Sequence, residues 1–134
     1  MTITLTDAER AYLKSQPLAR LATVDLSGAP QNNPVGVYLD DETGDILIGG
    51  GAMGATRKFR NVQANDQVAL VVDDLASRDP WTVRGIEIRG TAVAQEDVDP
   101  PVRFMSREVI RITTTWVASW GVDPEAPERI VRRA

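Results

Sequence analysis

The sequence contains no cysteine and no histidine. Those two absences exclude disulfides, thiolate nucleophiles, cysteine–histidine zinc sites, serine–histidine triads and histidine-ligated haem. No apolar stretch approaches the ~20 residues that span a bilayer. The opening Met-Thr-Ile-Thr-Leu-Thr-Asp-Ala-Glu has neither the basic nor the apolar region of a secretory signal, so a soluble cytoplasmic protein without a membrane partner is predicted. A net charge of −4 argues against a general nucleic-acid binder, which needs a broad basic surface to displace counterions from phosphates. The 134 residues, 43% of them hydrophobic, suffice for one core and are too few for two ordinary ones, so one domain over 1–134 is expected.

An enzyme built from such a chain leaves the difficult chemistry to a bound cofactor and supplies position and field. Carboxylates remain as metal ligands, but Asp40, Asp41, Glu42 and Asp45 cluster around Gly44 in a pattern that reads as a solvated hairpin turn. No metal site is predicted. No catalytic residue is assigned either; Tyr38 and solvent are the candidate proton sources.

What the chain does have is a break in character between Ile46 and Val62. Ile46, Leu47 and Ile48 read as a buried strand, Gly49, Gly50 and Gly51 as a loop, and the stretch from Ala55 or Thr56 as a basic helix. A helix start offers unsatisfied N–H groups and a positive dipole end to an anion, here with the Thr56 hydroxyl and the cations of Arg57 and Lys58 alongside. Taken alone, the same residues read more readily as a flexible loop and a solvated helix face, with Phe59 and Val62 as its packing stripe. The segment matches neither a Walker loop nor a Rossmann glycine fingerprint.

Elsewhere, Thr6 and Glu9 form a capping box for a short helix that Pro17 ends. Strands are expected at Leu18–Asp25, Gln31–Leu39, Asp45–Gly49, Gln67–Asp73, Thr82–Ala94 and Val109–Trp120, with a turn at Leu26–Ala29. Pro34 marks its strand as an edge or a bulge. Ile110, Ile112, Trp116 and Trp120 are expected on one face, Val102–Arg107 as one or two helical turns, and the tail from Asp123 shows no core signal. Hairpin-length connections point to a mainly β fold, an antiparallel barrel with peripheral helices.

In this order the segments Leu21-Ala22-Thr23-Val24-Asp25, Asn32-Asn33-Pro34-Val35, Thr56-Arg57-Lys58-Phe59-Arg60-Asn61-Val62, Val68-Ala69-Leu70-Val71-Val72-Asp73, Arg84-Gly85-Ile86-Glu87-Ile88-Arg89-Gly90 and Ser119-Trp120-Gly121 resemble the split β-barrel proteins related to pyridoxamine 5'-phosphate oxidase. The branch they resemble most is the one that uses the deazaflavin F420. The resemblance implies an F420-dependent oxidoreductase acting on a small organic substrate, with FMN as the alternative cofactor and a non-catalytic binding protein as the alternative role. It also implies a homodimer with cofactor sites at the subunit interface. By the same resemblance Thr56, Arg57 and Lys58 hold the cofactor phosphate, aided by backbone N–H groups of Gly49, Gly50 and Gly51. Asn33, Pro34 and Val35 lie along the ring, and Trp81 comes from the partner subunit. Arg60 and Arg84 are candidates for the acidic tail of F420. Relatives often carry a longer helical insertion where this chain has Gln95–Arg107, which implies a more open substrate side.

Overall fold

The computed structural model describes residues 3–134. Helix α1 (Asp7–Ser15) starts where the capping box places it: the Glu9 N–H donates to Thr6 Oγ1 at 3.1 Å and the Thr6 N–H donates to Glu9 Oε1 at 2.9 Å. Strands β1 (Ala19–Val24) and β2 (Pro30–Val35) pair through a turn in which the Asp25 carboxylate accepts the N–H groups of Ser27 and Ala29, and Gly28 takes a φ of 89°. That left-handed conformation favours glycine.

The strand expected over 31–39 is divided. After β2 the chain breaks at Gly36 and resumes as β3 (Tyr38–Leu39), which pairs with β4 (Ile46–Ile48). β5 (Gln67–Arg78) runs five residues past its expected end and turns through Asp79–Pro80 into β6 (Trp81–Gln95). β7 (Val109–Trp120) follows, and β8 (Ile130–Arg133) adds a strand in the tail where none was expected. All pairings are antiparallel, in the order β2-β1-β5-β6-β7-β4-β3. β8 shares with β4 the edge of β7 left free by β6, at the far end of that strand. The result is a curled half-barrel whose two edges are β2 and β3. Pro34 therefore does sit on an edge strand, where its missing N–H breaks no ladder.

The four aromatic and aliphatic residues expected on one face of β7 do not share it. Arg89 pairs with Trp116 and Gly90 with Thr114, so Thr115 is an extra residue and the alternation changes phase there. Ile110 and Ile112 point into the core, whereas Trp116 and Trp120 face the other way, Trp116 lying under the Arg89 guanidinium at 3.9 Å from its ring centre. Gly90 makes the bulge possible, since a Cβ there would overlap the Thr113 carbonyl oxygen.

Leu21, Leu70, Val72, Ile86, Ile88, Ile46, Ile48, Ile110 and Ile112 fill the curled face, closed by Leu13 of α1 and by Phe59 and Val62 of the second helix, α2 (Arg57–Ala64). Each such side chain contributes about 1.5–3 kcal/mol when fully buried. The segment 102–107, expected to be helical, is a loop with a single turn (Met105 N–H to Val102 O, 3.0 Å). Its side chains are drawn elsewhere: Arg107 pairs with Asp97 and Asp99, and Ser106 bonds Gly50.

Candidate functional site

β4 delivers the chain to the glycine run at the mouth of the half-barrel. Gly49 lies close under Met105, where a Cβ would come within 2.7 Å of the sulfur and push that side chain aside. The Gly50 carbonyl accepts both the Ser106 N–H (2.8 Å) and its hydroxyl (3.1 Å), and the Met53 N–H donates to Ser106 Oγ at 3.0 Å. Gly51 is exposed with open space around it. The run is thus a fixed loop stitched to 101–108, not a slack tether.

A 3-10 turn (Met53–Ala55) leads into α2, whose N-cap is Thr56. The Thr56 hydroxyl donates to Met53 O at 2.7 Å while its oxygen accepts the Phe59 N–H at 3.3 Å. Its hydroxyl is committed to capping. The Arg60 N–H bonds Thr56 O, so of the first-turn donors those of Arg57 and Lys58 are left open. Arg57 and Lys58 have no carboxylate within ion-pair distance among the described residues, and the Arg60 guanidinium folds back on Ala55 O at 3.3 Å. Arg57, Arg60 and Asn61 line an open cleft of about 420 Å³ against Asp25, Leu26 and Ser27 of the β1–β2 turn. The Ser27 hydroxyl, the turn's N–H groups and the Arg57 charge hold the Asp25 carboxyl below its ordinary range. Lys58 is half-buried and in line with the buried Val62 one turn on.

Asn33, Pro34 and Val35 do not present one face. Asn33 and Val35 face the core side, in register with Leu21 and Ala19, and Pro34 faces out beside Arg20. Val35 is buried, so only its backbone is available to a ligand. Asn33 is tied to α2 by side-chain amides: Asn61 Nδ2 donates to Thr23 Oγ1 (3.0 Å) and Gln31 Oε1 (3.0 Å), and Gln31 Nε2 donates to Asn33 Oδ1 (2.6 Å). Gln31 and Asn61 were not singled out by the sequence reading. Their signals are Gln31's place two residues before Asn33 on the same strand face, and a polar Asn61 within the Phe59–Val62 packing stripe.

Trp81 stands at the tip of the β5–β6 hairpin, 69% exposed. α2 lies near the opposite end, where the Ala92 N–H bonds Asp66 O. From Trp81 to Thr91 the strand extends on the order of 30 Å at ~3.3 Å per residue, so Trp81 does not reach the α2 of its own chain. Arg84 is also occupied: Nη2 and Nε grip Asp74 at 2.7 and 3.0 Å, and the guanidinium lies over the Tyr12 ring. Burial, then the Asp74 carboxylate, pushes the Tyr12 hydroxyl well up. Tyr38 folds back against Gly36, at the end of the strand that carries Asn33. No helix among the described residues is long and apolar enough to cross a membrane, and no carboxylate cluster there could hold a metal.

Comparison with known proteins places this geometry in a family. The model of the pyridoxamine 5'-phosphate oxidase family matches residues 5–133. A 5a,11a-dehydrotetracycline/5a,11a-dehydrooxytetracycline reductase of Streptomyces rimosus is 45% identical over 119 residues, covering 88% of this chain and 84% of the relative. Among solved structures, a conserved hypothetical protein of Mycobacterium tuberculosis superposes with a TM-score of 0.69 at 22% identity over 89% of this chain and 86% of its own. A protein described as an F420 reductase does so with a TM-score of 0.59 at 23% identity, over 79% and 93%. The likeness to these two solved structures concerns the fold, while the family match and the Streptomyces relative span nearly the whole sequence. The chain belongs to the pyridoxamine 5'-phosphate oxidase family.

Proposed function

We propose that this protein is an F420-dependent oxidoreductase that transfers a hydride between the reduced deazaflavin and a small organic substrate. Oxidoreductase activity is supported by the reductase relative at 45% identity, and a deazaflavin or flavin by the family and by the F420 reductase of the same fold. The observation that carries the reading is the first turn of α2. Two open N–H groups and the Arg57 and Lys58 cations, none paired with a carboxylate, stand at the end of a helix beside an edge strand bearing Asn33. That donor set suits a phosphate at one end and a polar ring edge at the other.

Arg57 and Lys58 would hold the phosphate, Thr56 keeps the helix end open by capping it, and the Asn33 amide would meet the ring. The Gly50 carbonyl, which accepts both the N–H and the hydroxyl of Ser106, holds loop 101–108 beside the glycine run. A bound deazaflavin supplies the two-electron hydride carrier that the side chains lack. We place Trp81 in the site from a second copy of the chain, because its own α2 is out of reach.

Titration of the purified protein with F420 and FMN in parallel, followed by oxidation of the reduced cofactor against a substrate panel, tests the reading. Tighter F420 binding with turnover is expected. Tighter FMN binding reassigns the cofactor, binding without turnover on any acceptor favours a storage role, and binding of neither overturns the site.

A further inference from the structure

We propose that Thr23, Asn61 and Gln31 form a one-way hydrogen-bond chain that fixes the Asn33 side chain as a donor, making Gln31 and Asn61 positioning residues for the cofactor ring. The proposal rests on the cofactor site proposed above. A primary amide has two hydrogens on nitrogen and an acceptor oxygen, so the use of one end settles the other. Asn61 commits both hydrogens, one to Thr23 Oγ1 and one to Gln31 Oε1, each at 3.0 Å. With its oxygen accepting, Gln31 donates from nitrogen, and it does so to Asn33 Oδ1 at 2.6 Å. The Asn33 oxygen thereby takes the Gln31 hydrogen, and its amino group, with no partner among the described residues, is left with two free hydrogens.

The reverse polarity would require all three amides to turn together, and the surroundings of Asn61 oppose that. Asn61 lines the cleft it shares with Arg57 and Arg60. The part of its amide not engaged with Thr23 and Gln31 has no hydrogen-bond partner among the described residues, and the unpaired Arg57 charge lining the same cleft favours an oxygen there over an amino group. The charge on α2 thus sets the direction of the chain, and β2 receives it. Asn33 consequently offers its amino group to an acceptor, such as the ring carbonyl oxygen common to F420 and FMN. The phosphate end and the ring end of the site are linked through buried side chains, Thr23 at 1% and Asn61 at 6% exposure.

Gln31→Glu tests the direction, because a carboxylate accepts from Asn61 but cannot donate to Asn33; it forces Asn33 to turn and offer its oxygen. In the ligand-free parent, side-chain amide exchange measured by nitrogen-15 NMR should show a protected Asn61 amino group and a rapidly exchanging Asn33 one. In Gln31→Glu the Asn33 amino group should become protected. The opposite order in the parent overturns the proposal. In the ligand arm, Gln31→Glu and the shape-matched Gln31→Met should each weaken FMN and F420 about tenfold. Adding Asn33→Ala to either should bring no further loss beyond that of Asn33→Ala alone. Additive losses would mean that Gln31 acts independently of Asn33 and would overturn its positioning role. A parent that binds neither cofactor removes the recognition role together with the site, while the exchange order still reads the polarity of the chain.

Discussion

Lys58 and Arg57 are adjacent, yet their surroundings predict unequal effects. Lys58 is half-buried and in line with the buried Val62, whereas Arg57 is exposed and lines the cleft against the Asp25 turn. Removing a charge-assisted hydrogen bond costs about 1.5–3 kcal/mol, so Lys58→Ala should weaken F420 and FMN about tenfold or more, and Arg57→Ala less. Unchanged circular dichroism and unfolding midpoint would show the loss to be one of binding; parent-like affinity in both variants would remove the phosphate assignment. The acidic tail of F420 should add a small, salt-sensitive preference over FMN, because exposed ion pairs are worth only about 0–1 kcal/mol. Arg60 is the remaining local candidate for that tail, Arg84 being held by Asp74. A gap between F420 and FMN affinities that widens with added salt would contradict this. At this scale the sequence exposes Thr56, Arg57 and Lys58, because a helix start is a local pattern. It hides Gln31 and Asn61, whose meaning lies in a contact across 30 residues of chain.

Elements were legible where their cause is local and obscure where it is a partner strand. The Thr6–Glu9 box announces α1, and Pro34 announces an edge. The Thr115 bulge is not written in the alternation of β7; it depends on Gly90, a residue of another strand, and it is what turns Trp116 away from the Ile110 face. β8 has too few apolar residues to be seen, and its anchor is ionic. Arg132 grips Glu9 through Nη2 (2.7 Å) and Nη1 (3.0 Å), and the Ser119 hydroxyl donates to the same carboxylate at 2.7 Å. Burial would raise the Glu9 carboxyl, but Arg132, the Thr6 N–H and Ser119 outweigh it and hold the group below its ordinary value. A depressed folded-state pKa stabilises above the unfolded value and is lost as pH falls through the folded one. Stability from this clasp should therefore be intact at neutral pH and fail in the acid range, below the ordinary value of 4.5. Arg132→Met leaves a carboxylate that is 1% exposed without its cation. It should cost about 3 kcal/mol at pH 7 in chemical denaturation, the low end for a broken buried pair because the arginine is partly exposed. It should also flatten the acid limb of the stability curve; an unchanged limb would mean that Glu9 is not the titrating group.

For the whole molecule, the order of parts along the sequence foretold the half-barrel, and the resemblance it carries implied a site shared between two copies, with Trp81 supplied by the partner. α2, β2 and the glycine loop meet at one end of the sheet, and Trp81 stands at the other end of β6. If two copies complete one another, as proposed, light scattering at micromolar concentration should give twice the mass of one chain, and each site should draw Lys58 from one copy and Trp81 from the other. That arrangement makes a specific demand on mixed assemblies. Lys58→Ala and Trp81→Ala should each bind cofactor weakly as pure proteins, since every site then lacks one contact. After subunit exchange in equal proportion, half of the dimers are mixed, and each mixed dimer carries one site with both contacts and one with neither. Parent-like affinity should therefore return at about a quarter of all sites, a fraction set by the two-fold symmetry alone. A titration of the exchanged mixture that shows no tight-binding class, under conditions where mass spectrometry confirms mixed dimers, would place Lys58 and Trp81 in separate sites or take Trp81 out of the site altogether.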